Sequence, residues 1–400
     1  MPDLPADAPP LDDFALARSE TPLAPIIRAE IEAAGGRITF AHFMALALGH
    51  PEHGYYCRAD LAWGRDGDYE TSPEVHPIFG YLWARQIEEC WERLDRPPVF
   101  DLVEVGAGSG AFSGAMLTWL RDRAPECFAA TRATLLDGHP RRISDQRRAL
   151  EIRNVEARHR LLDDWLADDE PVIGVVISNE FFDALPVHLV ERRDGTLLEW
   201  HVALEDGSFT LVLGEASRSD LDAYFVELGL APGEAARAEV NLAARDVMRQ
   251  IAERVERGYV LSVDYGHEAK DLYASWRRMG TLMAFRDHSP QPDPLASPGL
   301  LDLTAHVDFT SLAAAATSAG FEAAPTVSQA EALTVLGLPE AMQAAEARAH
   351  EDVARFAAER NAASTLIDLE GLGRIRVLAL AKGAALDGLR CLRSIAEAYG

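Results

Sequence analysis

The feature that most constrains the fold is a glycine-rich turn between a strand-like run and a helical pattern. Residues 99–105 form an apolar run, residues 106–110 read Gly-Ala-Gly-Ser-Gly, and residues 111–123 place apolar side chains on one helical face. Alternating glycines let a strand turn sharply into a helix and let a ligand contact the backbone. The segment therefore predicts a binding turn of the nucleotide type in an α/β fold.

Strand and helix patterns continue to alternate after this turn. Strand-like runs cover residues 134–137, 172–178, 259–264 and 376–381, and a helical pattern begins near Pro140. Strands that alternate with helices usually pair in parallel and are covered by helices on both faces. We therefore expect a parallel sheet of this kind, with the glycine turn at the carboxyl end of one strand.

The alternation is interrupted by a segment that reads as an antiparallel meander, because Asp-Gly pairs separate three alternating runs. We interpret residues 187–257 as an insertion that forms a substrate lobe. The resulting organisation is a disordered tail (1–20), an N-terminal helical lobe with a lid loop (21–96), a catalytic domain (97–186 and 258–383), the insertion (187–257) and a C-terminal tail (384–400).

Composition narrows the range of partners. The 400 residues include 38 Lys and Arg against 64 Asp and Glu, which gives a net charge of −26. A surface this acidic repels polyphosphate, so nucleic acid is not an expected partner. No stretch approaches the roughly 18 apolar residues that a membrane-spanning helix needs, so an integral membrane protein is not expected.

The cysteines and the N-terminal residues bear on location. Cys57, Cys90, Cys127 and Cys391 are scattered and form no C-x-x-C pair, so neither a metal site nor a disulfide framework is expected. Residues 1–20 lack the basic start and the apolar stretch of a targeting sequence. Together these features favour a reducing cytoplasm.

Two ligand templates fit the glycine turn. Gly106, Gly108 and Ala111 match the dinucleotide pattern G-x-G-x-x-A, whereas Glu104 followed by Gly106, Gly108 and Gly110 matches the pattern for S-adenosylmethionine. A carboxylate repels a pyrophosphate but attracts a ligand that carries a sulfonium and an ammonium group. Glu104 therefore favours the methyl donor, and a tight turn without a ligand is the alternative.

Further acidic residues follow the later strands. Asp137 ends a strand-like run, where an acidic side chain can accept hydrogen bonds from ribose hydroxyls; a helix cap is the alternative role. Asp163 comes after the next probable strand and could reach an adenine amino group, with a solvated acidic loop as the alternative. Thr71 and Ser72 lie in the aromatic and proline-rich loop that we expect to fold over the donor.

The segment Ser178-Asn-Glu-Phe-Phe-Asp-Ala-Leu-Pro186 follows another strand-like run. Ligands of open parallel sheets bind outside the carboxyl ends of the strands, so this segment should face the glycine turn across a crevice. Asn179, Glu180 and Asp183 are therefore candidate catalytic residues, although a capped turn over a core of aromatics is the alternative. His306 is a candidate proton relay, with a structural hydrogen bond as the alternative.

Several segments, in this order, resemble the MidA-like family of S-adenosylmethionine-dependent methyltransferases, relatives of a mitochondrial complex I assembly factor that methylates an arginine. The matching segments are His50 to Tyr56, Gly67 to Glu74, the glycine turn, Asn179 to His188, Val263 to Gly266, Leu303 to Phe309 and Val377 to Gly383.

The resemblance implies a class I methyltransferase sheet of seven strands, the last one antiparallel, with S-adenosylmethionine as cofactor. It assigns the glycines of the turn to the donor, Asp137 to ribose, and Asn179, Glu180 and Asp183 to the substrate. Two departures stand out: the family writes G-P-G-R-G where this chain has Ser109 in place of Arg, and E-x-S-P where it has Asp137-Gly-His-Pro. The missing Arg puts in doubt whatever that side chain does for a protein substrate.

Several functions stay open. The resemblance favours an arginine N-methyltransferase that acts on a subunit of respiratory NADH dehydrogenase, and an acidic surface suits a basic peptide. A methyltransferase of small molecules or peptides, acting at N or O, and a non-catalytic complex I assembly factor are the alternatives, and a dinucleotide oxidoreductase is the most distant. A homodimer also stays open.

Overall fold

The computed structural model of the chain describes residues 20–58, 61, 64, 71–350 and 352–400. The prediction of a disordered tail therefore lies outside the described residues, except at Glu20. Among the described residues, no helix combines the length and the apolar composition that crossing a membrane requires.

Helices alternate with strands over most of the chain. The helices are α1 (Ala24–Ala33), α2 (Phe40–Gly49), α3 (Ser72–Val75), α4 (Ile78–Arg93), α5 (Ala111–Arg123), α6 (Pro125–Ala130), α7 (Pro140–Ile152), α8 (Leu162–Leu166), α9 (Asp220–Leu228), α10 (Leu242–Arg254), α11 (Ala269–Leu272), α12 (Phe309–Thr317), α13 (Gln329–Val335), α14 (Leu338–Ala347), α15 (Val353–Ile367) and α16 (Ile395–Tyr399). The strands are β1 (Arg37–Thr39), β2 (Phe100–Val105), β3 (Thr131–Asp137), β4 (Arg158–Leu161), β5 (Val172–Asn179), β6 (His188–Arg193), β7 (Thr196–Glu205), β8 (Ser208–Glu215), β9 (Arg237–Val240), β10 (Val255–Asp264), β11 (Gly266–His267), β12 (Met283–Arg286), β13 (Ser289–Gln291), β14 (Asp302–Thr304), β15 (Val307–Asp308), β16 (Glu322–Ala323), β17 (Val327–Ser328) and β18 (Arg376–Lys382).

The central sheet has the strand order β4-β3-β2-β5-β10-β18, and β16 and β17 pair with the outer edge of β18. The first five strands are parallel, and β18 is antiparallel to β10. Apolar clusters cover both faces, with α4, α5 and α13 on one side and α8, α10 and α12 on the other. The predicted α/β fold is confirmed.

The strand count differs from the expected seven, because eight strands of this sheet occur among the described residues. The position beyond β18 is shared by β16 and β17, two short strands separated by residues 324–326. Pro325 lies in this gap and has no N–H group to donate to a neighbouring strand. One edge strand is thereby divided into two.

A second lobe joins the N-terminal segment to the insertion. β1 pairs antiparallel with β7 in the same five-stranded sheet as β6, β8 and β9. Side chains of α1 and α2 share an apolar core with this sheet and with β14. By contrast, α4 packs against α5 on the central sheet.

The residues after 384 also lie on α4, where the Cys391 N–H donates to Gln86 Oε1 at 2.8 Å.

The centre of the main sheet leaves no space for a side chain at Gly258 on β10. A methyl group there would lie 1.9 Å from the backbone oxygen of Gly174 on β5. We expect Gly258→Ala to lower the free energy of unfolding by about 2 kcal/mol or more, because neither strand can move within the packed sheet. Chemical denaturation measures this, with Gly49→Ala as the control, since its added methyl meets no atom within 4 Å. Equal stability of the two variants would contradict the tight strand spacing.

Candidate active site

The glycine turn borders a cavity of about 330 Å³ at the carboxyl ends of β2, β3 and β5. Gly106, Gly108 and Gly110 have φ angles of +73°, +50° and +80°, a conformation that favours glycine. A Cβ atom at Gly106 would lie 2.7 Å from Cδ2 of Phe181, so the turn also needs the missing side chain. The volume is within the roughly 300–1,000 Å³ of small-molecule sites, and the open backbone fits an adenosyl ligand.

Asp137 lies where the sequence predicts it, at the end of β3 and in the wall of this cavity. Its carboxylate accepts hydrogen bonds from the N–H groups of Gly108 at 3.0 Å and His139 at 3.3 Å. Burial raises the pKa of Asp137 to about 6, although these hydrogen bonds oppose the shift. The carboxylate thus links the glycine turn to the neighbouring strand and is available to ribose hydroxyls.

Glu104 lines the same cavity but is almost entirely buried in β2. Its carboxylate accepts a hydrogen bond from the Ser113 N–H at 3.0 Å and contacts the Ser113 hydroxyl, which ties β2 to α5. Burial raises its pKa to about 8. A cationic ligand in the cavity would favour the ionised form and lower this pKa.

The segment before α4 covers the glycine turn. Thr71 lines the cavity, and the Glu74 carboxylate contacts the hydroxyl of Ser109, the residue that replaces the family's Arg. Ser72 is fully buried; its N–H donates to Glu180 Oε1 at 3.2 Å and its hydroxyl to Gln329 Oε1 at 3.0 Å. Ser72 thus contacts Glu180 but, unlike Thr71, does not line the donor cavity. Residues 59–60, 62–63 and 65–70 of the expected lid lie outside the described residues.

Asp163 requires a correction. Its side chain is exposed, whereas the preceding residue, Leu162, is buried and lines the cavity. Because α8 begins at Leu162, the helix turns the apolar side chain inward and the acidic one toward solvent. The structure does not bring Asp163 into the donor cavity.

The turn after β5 has a strained backbone at Glu180, where φ is +47° in a residue with a side chain. The Glu180 N–H donates to the Val263 carbonyl at 2.8 Å. The carboxylate of Asp264 accepts hydrogen bonds from the N–H groups of Phe181 and Phe182 at 3.1 and 2.9 Å. Residues at the end of β10 thereby hold Glu180 in this conformation.

Glu180 and Tyr56 line both the donor cavity and a second cavity of about 440 Å³ beside it. Asn179 stays on the donor side, where its Nδ2 donates to Glu180 Oε1 at 3.0 Å. The lining of the second cavity includes two arginines as well as acidic, aromatic and imidazole side chains, namely Glu180, Asp183, Asp302, Tyr56, Tyr265 and His306. The candidates Glu180, Asp183 and His306 therefore meet in one place.

The acidic groups in this region raise one another's pKa values. Burial raises the pKa of Glu180 to about 7 and that of Asp264 to about 8, and nearby carboxylates add to both shifts. Burial and the charges of Asp264 and Glu180 raise the pKa of Asp183 well above its usual range. The raised pKa values indicate that this group of carboxyls is partly protonated at neutral pH and that a bound cation would favour its ionised form.

The ring of His306 stacks on that of Tyr265, with the ring centroids 6.4 Å apart. Its Nδ1 is buried without a hydrogen-bond partner. Burial is the main cause that lowers the pKa of His306 to about 3, so the ring is neutral at pH 7. A neutral imidazole can donate one hydrogen bond and accept another, but it carries no extra proton to give to a substrate.

Sequence reasoning missed four residues of this site: Tyr56, Asp264, Tyr265 and Asp302. The Tyr56 hydroxyl donates to Asp302 Oδ1 at 2.8 Å across 246 positions of the chain, a contact that no local pattern reveals. The Asp264-Tyr265 pair was detectable, because it follows a strand-like run at the same edge of the sheet as Glu180.

A parallel sheet with an antiparallel last strand, a glycine turn after β2 and a carboxylate at the end of β3 are together typical of a methyltransferase that uses S-adenosylmethionine. The chain belongs to the family described as "Putative S-adenosyl-L-methionine-dependent methyltransferase", whose model matches residues 82–327. No cluster of three or more potential metal ligands occurs among the described residues.

Known proteins of similar sequence and structure support this membership. The chain is 32% identical over 315 residues to "Protein arginine methyltransferase NDUFAF7 homolog, mitochondrial" of Drosophila melanogaster, covering 72% of this chain and 68% of the relative. The Homo sapiens protein of that name is 27% identical over 326 residues, 74% of this chain and 69% of the relative. A Burkholderia thailandensis protein crystallised with S-adenosyl-homocysteine is 30% identical, with a TM-score of 0.84 and 98% of both chains covered.

The relatives' names contradict one expectation from the sequence. Both curated relatives carry the word mitochondrial, so the cytoplasmic location inferred from the cysteines is wrong by this comparison. All four cysteines are buried and unpaired. Unpaired cysteines indicate a reducing environment and do not distinguish one reducing compartment from another.

Asp137 and Asp163 offer a matched test of the donor cavity. We expect Asp137→Ala to weaken binding of S-adenosyl-homocysteine by about tenfold or more, because it removes a buried acceptor for ribose and for the glycine turn. Asp163→Ala, which removes an exposed carboxylate, should bind like the wild type. Calorimetry measures both affinities. Equal loss in the two variants, or none in Asp137→Ala, would contradict this assignment.

Proposed function

We propose that this chain transfers a methyl group to the side-chain nitrogen of an arginine in a protein. The observation that carries the proposal is the meeting of the donor cavity with an acid-lined second cavity at Glu180. When bound, S-adenosylmethionine supplies an electrophilic methyl group for an in-line displacement. The protein's part is to hold the acceptor nitrogen in line and to manage its charge.

An arginine side chain suits this second cavity. A guanidinium is always protonated near neutral pH and offers five N–H donors but no acceptor. Glu180, Asp183 and Asp302 supply acceptors, and the Asp183 Oδ1 is buried without a partner. Such an orphaned acceptor would be satisfied by a guanidinium N–H. Glu180, with a pKa raised to about 7, is suited to accept the proton that leaves the acceptor nitrogen.

The surroundings of the cavity support a protein as substrate. Trp276 and Met279 are strongly exposed, and Met283 is exposed at the edge of the cavity. Exposed apolar side chains near an opening are typical of interaction surfaces. The net charge of −26 also favours a basic partner segment.

The relatives' names and the resemblance define the substrate more closely. Two of these relatives are named protein arginine methyltransferases, at 27% and 32% identity. The resemblance to the MidA-like family implies a subunit of NADH dehydrogenase, the respiratory complex I, as that protein. We therefore place an arginine of such a subunit first among the candidate acceptors.

Mass spectrometry of proteins from the native organism tests the acceptor. Cells without the gene should lose a methyl mark on an arginine of an NADH dehydrogenase subunit, and the wild-type gene should restore it. A mark lost from a small molecule, from another type of side chain or from none at all would overturn the proposal.

Asp183→Asn separates the two cavities functionally. The substitution keeps the shape but removes a carboxylate whose ionised form a bound guanidinium would stabilise, so turnover should fall by about a hundredfold or more. Affinity for S-adenosyl-homocysteine should stay within about twofold, because Asp183 lines only the second cavity. Single-turnover methylation and calorimetry measure the two effects, with Asp163→Asn as the exposed control. Parallel loss of turnover and donor affinity would place Asp183 in the donor site instead.

The raised pKa of Glu180 predicts a pH dependence. Below pH 7 the carboxyl is largely protonated and cannot accept a proton, so kcat/KM should rise as the pH passes through about 7. The pKa values of the neighbouring Asp183 and Asp264 are also raised, with the charge of Glu180 among the causes, which broadens the rise. Glu180→Gln should turn over slowly, and its kcat/KM should not rise through pH 7. An unchanged rise in Glu180→Gln would assign the pH dependence to another group.

A further inference from the structure

The second cavity also carries positive charge that methyl transfer does not use. Arg277 and Arg374 line it together with the acidic residues. Among the residues that the structure describes, no carboxylate forms an ion pair with either guanidinium. The Nε of Arg277 is buried and has no hydrogen-bond partner. Two cations thus share this cavity without a counter-charge of their own.

The rings next to these arginines are neutral. Arg277 Nη2 lies 3.1 Å from Nε2 of His267, and the Arg374 guanidinium lies 5.9 Å from the ring centroid of Tyr265. The rings of His267 and His306 are 5.2 Å apart. Burial is the main cause that lowers the pKa of both histidines, and both arginines lower it further. A partly buried N–H group without an acceptor costs free energy that an anionic ligand would recover.

We propose that Arg277 and Arg374 bind a carboxylate of the substrate that lies next to the methylated arginine. The inference rests on the proposed function, and it adds a second recognition element: the cavity takes a cation at its acidic residues and an anion at its basic ones. The carboxylate comes from an acidic side chain near the arginine or from a chain terminus.

The chemistry of the cavity favours a carboxylate over a phosphate. A guanidinium and a carboxylate match in two parallel hydrogen bonds. Glu180, Asp183 and Asp302 line the same cavity, and their repulsion of a dianion exceeds that of a single negative charge. Because the buried Nε of Arg277 has no acceptor when the substrate lacks the anion, this site selects among arginines as well as binding them.

Synthetic peptides test the proposal with the full-length chain. One set carries a single arginine with a glutamate one to three residues away on either side, and its partner set carries glutamine at that position. Another pair of peptides ends in a free carboxylate or an amide after the arginine. Binding is measured by calorimetry with saturating S-adenosyl-homocysteine, and methyl transfer by mass spectrometry with S-adenosylmethionine.

We expect at least one carboxylate peptide to bind about tenfold or more tightly than its neutral partner. The set in which this preference occurs identifies the source of the carboxylate. Arg277→Gln and Arg374→Gln should each reduce the preference to near one, with the change in KM rather than kcat. Arg278→Gln is the matched control: Arg278 is exposed, does not line the cavity and should keep the preference.

The outcomes separate this inference from the proposed function. Equal binding of both peptide sets, or a preference that survives in Arg277→Gln and Arg374→Gln, overturns the carboxylate site. Equal methylation of arginine in the carboxylate and neutral peptides also overturns the carboxylate site, while the proposed function stands. Carboxylate-dependent binding that needs both arginines but leads to no methylation supports the site and contradicts the arginine acceptor.

Discussion

One buried carboxylate holds the turn on which both cavities depend. Asp264 is fully buried at the end of β10, and its carboxylate accepts hydrogen bonds from the backbone N–H groups of Phe181, Phe182 and Tyr265. Burial alone would make this acid costly, and it raises the pKa to about 8, whereas the hydrogen bonds offset part of that cost. Because these hydrogen bonds fix the residues after Glu180, Glu180 is held at a positive φ and lines both cavities. This backbone conformation is the structural reason why one side chain lines both cavities.

The parallel sheet explains why such distant residues converge. Gly106 follows β2, Asp137 ends β3, Asn179 ends β5 and Asp264 ends β10, and all four strands are parallel. Their carboxyl ends therefore share one edge of the sheet, where a binding crevice is expected. The remaining walls of the second cavity come from Tyr56, from residues between 277 and 306 and from Arg374, through contacts that the order of the parallel strands does not dictate.

The features that the sequence predicts correctly are local, and those that it misses join residues far apart in the chain. The glycine turn and Asp137 are encoded within short stretches, where strand and helix patterns are strongest. The pairing of β1 with β7 and the hydrogen bond from Tyr56 to Asp302 join segments more than 150 residues apart, so no periodicity reveals them. Asp163 shows a local error: a shift of one residue at the start of α8 decides which side chain faces the cavity.

A crystal structure with S-adenosyl-homocysteine and an arginine peptide tests the central claim, that Glu180 brings a donor site and an arginine site together. We predict the homocysteine sulfur in the cavity at the glycine turn and the peptide guanidinium in the second cavity, hydrogen-bonded to Glu180 and directed at that sulfur. A peptide bound elsewhere, or a guanidinium held away from Glu180 and the sulfur, would contradict this claim.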